Sequence, residues 1–211
     1  PYPPAEERLN IVSHAIGFVL SLAATVLVVM RAVDIGSALV IVSFAIFGAS
    51  LVFLYAASTT YHSATRPAWR ARLRIIDHAS IYVLIAGTYT PFALVTLNGR
   101  VGWWIFGVTW GLALAGIVMK LFFTGRFHVA STLMYVFMGW IIVFAVKPLM
   151  NNLSQAGLLW LLAGGFAYTS GAVLYGIKAL KFNHALFHLL VLAGSACHFI
   201  AVFYFVLPLP R

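Results

Sequence analysis

The stretch that decides the fold runs from residue 38 to residue 61 and reads ALVIVSFAIFGASLVFLYAASTTY. It contains no acidic or basic side chain from its first residue to its last. A helix that crosses a bilayer needs about 20 predominantly apolar residues, and this stretch meets that requirement. Its apolar residues are continuous rather than alternating, which excludes a strand of a membrane β-barrel. We therefore predict a transmembrane α-helix here.

Apolar runs of the same kind recur along the chain, separated by charges or by clusters of Gly, Pro and Asn. Six further runs fall at about 11–30, 75–97, 101–119, 129–149, 156–177 and 184–207. The first has no small-residue cleavage pattern after it, so we interpret it as a span and not as a signal peptide. The sequence predicts an all-α fold, a seven-transmembrane helix bundle that forms a single domain over residues 1–211.

The composition excludes other classes of protein. Of the 211 residues, 63% are hydrophobic and 8% are charged, and the mean hydropathy is +1.02. In a soluble domain, about a quarter of the residues are charged. A disordered chain is poor in aromatic residues, whereas these make up 15% of this sequence. The single cysteine, Cys197, cannot form an intrachain disulfide. Lipid is therefore the expected solvent for most of the chain.

The basic residues predict the orientation of the bundle. With seven spans, one side receives nine of them, namely Arg8, Arg66, Arg70, Arg72, Arg74, Lys120, Arg126, Lys178 and Lys181. The other side receives four, namely Arg31, Arg100, Lys147 and Arg211. Because cytoplasmic loops carry the excess of Lys and Arg, we expect a cytoplasmic N-terminus and a C-terminus outside.

Four of these arginines lie in one predicted loop, residues 63–74, together with Trp69: Arg66, Arg70, Arg72 and Arg74. Such a cluster near a bilayer either reports topology alone or also binds anionic lipid headgroups, and both interpretations remain open. Nucleic acid is not an expected partner, because the sequence contains no nucleic-acid-binding motif.

Ionisable side chains inside membrane spans are costly and indicate functional sites. His62 ends the second span, Asp77 opens the third, and His184 and His188 open the seventh. From the order and orientation of the spans, all four are expected at the cytoplasmic ends of their helices. The other acids, Glu6, Glu7 and Asp34, are assigned to terminal or loop positions, so Asp77 is predicted to be the only carboxylate at membrane level.

The spacing of the histidines points to a metal ion. His184 and His188 are four residues apart and therefore share one face of a helix, where two imidazoles can reach one ion. Ala185 stands where the familiar helical zinc-protease motif has a glutamate, so the sequence does not indicate a metalloprotease of that class. Adding His62 gives a three-histidine site with a fourth position open for water, as in catalytic zinc sites. The alternative is that each histidine merely bonds a backbone carbonyl or meets headgroups.

Two further side chains are candidates for catalytic roles. Asp77 would either act as general base on a metal-activated water or orient a ligand histidine, unless it only caps its helix or pairs with Arg74. Ser58 lies one turn deeper than His62 on the same face, where its hydroxyl would hold a substrate carbonyl or a water. The alternative for Ser58 is a hydrogen bond to its own helix.

The remaining histidines are less informative. His14 and Asn10 are four residues apart in the first span, and His14 either lines the same cavity or ties helices together. His78 points about 100° away from Asp77 around the helix, so the two are not expected to face one ion. His198 lies about 21 Å along its helix from His184, which is too far to share its site.

At these residues the sequence resembles the hemolysin III family. This family is the bacterial branch of a superfamily (PAQR-like) that includes progestin and adiponectin receptors and, more distantly, alkaline ceramidases. The resemblance covers essentially the whole chain. It rests on Glu7-x2-Asn10-x3-His14-x2-Gly17, Ser58-x3-His62, Asp77, and His184-x3-His188.

The resemblance implies a multi-pass protein of the bacterial inner (cytoplasmic) membrane with its N-terminus inside. It implies zinc bound by His62, His184 and His188, with Asp77 contacting the metal through water and Ser58 nearby. The superfamily's proposed activity is metal-dependent hydrolysis of lipid amides. For the bacterial branch, the family name suggests cytolysis, and control of membrane lipid state is another proposed role.

Three functional hypotheses follow. The first is an intramembrane zinc hydrolase whose substrates are membrane lipids with an amide or ester bond. The second is a sensor or receptor of membrane state in which zinc is structural. The third is a pore-forming cytolysin, which we rank lowest because the polar residues are mostly confined to one membrane level, whereas a pore needs a polar lining on several helices.

Overall fold

The computed structural model describes residues 2–123 and 128–207. Two of the basic residues that enter the orientation count, Arg126 and Arg211, lie outside the described residues. The described part of the chain is helical and contains no β-strand. The prediction of an all-α fold is therefore confirmed.

Within residues 2–123 and 128–207, seven helical segments are long and apolar enough to cross a membrane, as predicted. Five of them are single α-helices: α1 (Pro4–Ile35), α2 (Ala38–Ser63), α4 (Gly99–Phe123), α7 (Gln155–Gly176) and α8 (Asn183–Phe205). The third span is α3 (Pro67–Pro91) continued by a π-helix (Phe92–Leu97). The fifth combines α5 (His128–Gly139), a 3-10 helix (Ile141–Ala145) and α6 (Val146–Asn152).

The third span is the central helix of the bundle, because 83% of its most apolar window is buried. It begins at Pro67, about two turns before the predicted boundary at residue 75. Proline suits the first turn of a helix, since its missing N–H would have no partner there. Arg70, Arg72 and Arg74 therefore lie on the first turns of α3, where the sequence predicted a loop.

The fifth span is broken, whereas the sequence predicted one continuous run over 129–149. Pro148 has no N–H for the carbonyl of Phe144, and its ring disfavours the regular helix before it. The Tyr89 hydroxyl lies at the break: it donates to the Gly139 carbonyl at 2.8 Å and accepts the Ile142 N–H at 3.0 Å. A side chain of α3 thus satisfies backbone groups that lipid would leave unpaired.

Two glycines allow the helices to approach closely beside the core. A Cβ atom at Gly17 would lie 2.5 Å from the ring of Tyr55, and one at Gly194 would lie 2.5 Å from the ring of Tyr168. Small residues permit such contacts between membrane helices. Both tyrosine hydroxyls consequently reach Ser195, at 2.8 and 3.0 Å between oxygens. This polar cluster lies deeper than the histidines of α2 and α8, so polar side chains are less confined to one level than the sequence suggested.

Candidate metal centre

Three of the predicted site histidines meet at one end of the bundle. His62 lies in the last turn of α2, and His184 and His188 lie in the first two turns of α8. The residues are 2%, 6% and 2% exposed, respectively, so none of them meets headgroups. Each offers a ring nitrogen, and these three nitrogens all lie within 4.8 Å of one another.

The closest pair of donor atoms fits a tetrahedral ion. Nε2 of His184 and Nε2 of His62 are 3.2 Å apart. Two nitrogens that each lie 2.0 to 2.1 Å from a tetrahedral zinc ion are separated by about 3.3 Å. His62 and His184 therefore fit a divalent ion such as zinc in both distance and ligand chemistry, and the third nitrogen, from His188, lies within 4.8 Å of both.

The contacts of the other ring nitrogens orient two of these histidines. Nδ1 of His188 lies 3.3 Å from the carbonyl oxygen of Asn10, which can only accept, so this nitrogen carries the proton. Nδ1 of His62 lies 3.3 Å from Oε2 of Glu7. A carbonyl or carboxylate at one ring nitrogen leaves the other with its lone pair directed at the metal position.

Glu7 is itself held by an arginine of the basic cluster. Its Oε1 accepts from Nη2 of Arg70, and Nη1 of Arg70 donates to the carbonyls of His62 and Ala64 at 3.3 and 3.1 Å. These carbonyls end α2, where a cation also complements the helix dipole. Arg70 thus links the first turns of α1 and α3 to the end of α2, directly beside His62.

Glu6 performs a similar role at the start of α8. Its Oε1 accepts the backbone N–H of His184 at 3.1 Å, and the residue is only 5% exposed. Phe182, the residue before α8, adopts a left-handed conformation (φ 58°) and provides no side-chain cap. A carboxylate of α1 therefore satisfies the N-terminus of the helix that carries two candidate ligands.

Glu6 and Glu7 are near the N-terminus, as predicted, but the prediction that Asp77 is the only carboxylate at the level of the histidines was wrong. Both lie in the first turn of α1, which begins at Pro4, and Asp77 is not the only carboxylate near the histidines. A signal for this was present in the sequence: Glu7, Asn10 and His14 follow spacings of three and four and therefore share one face of a helix.

Tyr2 lies against two of the three histidines, His62 and His184. Its ring stacks on that of His184, with ring centres 4.5 Å apart and planes at 19°. Burial raises the pKa of the Tyr2 phenol, so the group stays neutral beside the site. The sequence gave no reason to include this residue.

Asp77 lies near this group without belonging to it. It lines a cavity of about 160 Å³ together with His184, His188 and Ser58. Its Oδ2 lies 3.2 Å from Nδ1 of His78. The two side chains therefore meet each other despite the angle between them on the helix, and both line the cavity.

Ser58 lies one turn deeper than His62, as its position in the sequence predicts, and is 2% exposed. Its hydroxyl has no hydrogen-bond partner among the described residues, whereas nearby Thr60 donates to the carbonyl of its own helix at Ala56, at 2.6 Å. The alternative in which Ser58 bonds to its own helix is therefore not found. The hydroxyl is available to a molecule in the cavity.

His14 packs directly against a candidate ligand. Its ring is stacked on that of His188, with ring centres 3.5 Å apart and planes at 9°, and it meets the Tyr55 ring edge-on. Neither ring nitrogen of His14 has a hydrogen-bond partner in the described part of the chain. His198 is separate: its Nδ1 lies 2.9 Å from the Gly194 carbonyl, and it lines the far side of the same cavity.

Comparison with known proteins places the chain in a family. The model of the family described as haemolysin-III related matches residues 3–199, which include every candidate site residue. The chain belongs to this family. The resemblance inferred from the sequence is therefore confirmed, and the protein is a multi-pass membrane protein of the hemolysin III family.

The chain is similar to two bacterial proteins and, at lower identity, to a human protein. The chain is 46% identical to "Hemolysin-3" of Bacillus cereus over 203 residues, which cover 96% of this chain and 93% of that protein. It is 47% identical to "Hemolysin-3 homolog" of Bacillus subtilis (strain 168) over 205 residues, or 97% and 96% of the two chains. A human protein, "Monocyte to macrophage differentiation factor", is 29% identical over 170 residues, or 74% and 67%.

Proposed function

We propose that this hemolysin III family protein is a zinc-dependent hydrolase of lipid amides or esters that acts in the bacterial inner membrane and serves lipid homeostasis. The observation that carries the proposal is the group of three buried histidines, two of which, His184 and His188, line a cavity between membrane-spanning helices. Soluble hydrolases bind their substrates in water-filled clefts. Here the cavity lies between membrane-spanning helices, which favours a lipid substrate.

The residues that would hold the ion are His62, His184 and His188. Neutral imidazole suits zinc, and three protein ligands leave a fourth position, as in catalytic sites. When bound, zinc supplies Lewis acidity, which activates water near neutral pH and polarises a carbonyl. Glu7 and the Asn10 carbonyl keep two of the imidazoles in the tautomer that binds a metal.

Two other residues of the cavity would act on the substrate. The Asp77 carboxylate accepts a proton from the attacking water, and His78, 3.2 Å away, keeps that carboxylate aimed into the cavity. The unpartnered Ser58 hydroxyl donates a hydrogen bond to the substrate carbonyl. A buried donor without a partner is costly, which supports a role for Ser58 in binding a ligand.

The proposed orientation, with a cytoplasmic N-terminus, places the site at the inner leaflet. Arg66, Arg72 and Arg74 are exposed beside Trp69 and form the surface that we propose for anionic headgroups. Arg70 belonged to the predicted set of headgroup ligands, but its guanidinium is directed to Glu7 and the end of α2 and is 22% exposed. We therefore assign Arg70 a role in holding the site.

The test is the Asp77→Asn variant, purified and supplied with single-chain lipid amides and esters. The variant should retain zinc and lose at least about 100-fold in turnover, because general-base catalysis contributes about this much. Asp34→Asn, at the other end of α1, is the matched control and should behave as wild type. Unchanged hydrolysis in Asp77→Asn would exclude the proposed mechanism.

A second candidate is a sensor of membrane state with structural zinc. The observation that favours it is that the candidate ligands lie on α2 and α8 and are braced by Glu6 and Glu7 of α1, so an ion would tie three helices together. In that case no lipid tested would be turned over, and His184→Ala would lower thermal stability along with zinc content. Turnover by the wild type decides between the two.

A further inference from the structure

A second cavity of about 220 Å³ continues the first one toward the opposite end of the bundle. The two cavities share six lining residues: Thr88, Tyr89, Gly139, Trp140, Gly165 and His198. Beyond this junction, the second cavity is lined by apolar side chains such as Phe92, Leu149 and Leu162. The two cavities therefore adjoin at these residues, and together they run from a polar end at His184 and His188 to an end lined by apolar side chains.

One face of α7 lines both cavities. The first cavity is lined by Gly165, Thr169, Ala172 and Tyr175, and the second by Leu158, Leu161, Leu162 and Gly165. These residues follow the spacings of three and four that keep side chains on one helix face. At 1.5 Å per residue, Gly165 lies about 15 Å from Tyr175 and about 10 Å from Leu158. It is the α7 residue common to both cavities.

The absence of a side chain at Gly165 keeps the junction open. A Cβ atom there would have only Cζ2 of Trp140 within contact distance, at 3.9 Å. The preceding glycine differs, because a Cβ atom at Gly164 would lie 2.5 Å from the His198 ring. Gly164 is thus required for packing against α8, whereas a side chain at position 165 would have space and would project between the two cavities.

We propose that the two cavities form one continuous tunnel, that this tunnel binds one linear hydrocarbon chain of a lipid, and that Gly165 determines the length of chain it accepts. A C–C bond of about 1.52 Å advances an extended chain by about 1.25 Å, so a tunnel of about 25 Å accommodates about 20 carbons. Closure at position 165 leaves about 15 Å, or about 12 carbons. The orientation of the bound lipid, with its polar end at the histidines, rests on the proposed function.

The experiment uses the purified full chain in detergent and 1-O-alkylglycerols with about 8 to about 20 carbons. These ethers have neither an amide nor an ester bond, so binding is measured without turnover, by native mass spectrometry of the retained ligand. Gly165→Phe closes the junction, and Gly165→Leu closes it in part. Gly107→Phe is the matched control, because Gly107 is exposed on α4 and its Cβ would meet nothing within 4 Å.

The wild type and Gly107→Phe should retain chains of about 16 to about 20 carbons best, whereas Gly165→Phe should prefer chains about 8 carbons shorter and Gly165→Leu should lie between them. The same length profile in Gly165→Phe and wild type would overturn the proposal, as would failure of the wild type to retain any of the ethers. If the profile shifts but no lipid is hydrolysed, the tunnel stands and the hydrolase proposal fails. If lipid is hydrolysed but the length profile does not shift, the hydrolase proposal stands and the tunnel proposal fails.

Discussion

At the scale of single residues, Glu7 is the side chain whose role the structure changes most. One of its carboxylate oxygens contacts Arg70 and the other contacts Nδ1 of His62. One residue therefore joins the basic cluster to a candidate metal ligand. Partners of this kind fix the ring orientation and raise the basicity of a ligand histidine.

Glu7→Gln should therefore weaken zinc binding by about 10-fold to about 100-fold, because the amide has the shape of the carboxylate without its charge. The measurement is competition for zinc with a chelator of known affinity. Asp34→Asn removes one acid from the far end of α1 and serves as control. An unchanged affinity in Glu7→Gln would show that this carboxylate does not act on His62.

Ser58 gives a second prediction at this scale. Ser58→Ala removes a buried hydroxyl that has no hydrogen-bond partner among the described residues, so zinc content should not change. Turnover should fall by about 100-fold, because the proposed hydrogen bond to the reacting carbonyl is lost. Thr60→Ala is the control, since that hydroxyl is satisfied by its own helix. Equal turnover in both variants would assign Ser58 no part in the reaction.

At the scale of the helices, the break in the fifth span depends on one hydroxyl of α3. Tyr89 is 6% exposed and bonds both to the end of α5 and to the 3-10 helix that follows it. Losing it removes the hydrogen-bond partner of the Ile142 N–H and of the Gly139 carbonyl, and lipid supplies no replacement.

Tyr89→Phe should lower the free energy of unfolding by about 1–3 kcal/mol, the typical cost of an unsatisfied buried polar group. The midpoint of thermal unfolding in detergent measures this. Tyr204→Phe alters a tyrosine that is 59% exposed and should leave the midpoint unchanged. Equal midpoints in the two variants would mean that the break does not need the hydroxyl.

The sequence predicts the seven spans and the meeting of the three histidines, but not every contact between the helices. The seven spans follow from uncharged runs, and the meeting of His62, His184 and His188 follows from their shared position at helix ends. Glu6 and Glu7 were missed because hydropathy alone does not locate the first turn of a helix that extends past its apolar run. The Tyr89 contacts were missed because they depend on the packing of two helices, which no local pattern encodes.

At the scale of the whole molecule, the buried polar groups bear on the cytolysin hypothesis. The deeper cluster of Tyr55, Tyr168 and Ser195 is closed by hydrogen bonds among its own members, and the second cavity is lined mostly by apolar residues. A water-filled pore needs a polar wall. We therefore expect no release of a small dye from liposomes that contain the purified protein, and leakage independent of detergent and of protein excess would support the pore instead.

The central claim is a zinc ion bound by three histidines, and metal analysis of purified variants tests it most directly. Wild type and His198→Ala should each carry about one zinc per chain, because His198 lies about 21 Å along α8 from His184. His62→Ala and His184→Ala should carry almost none. Zinc near zero in the wild type, or an equal content in all four proteins, would contradict the account.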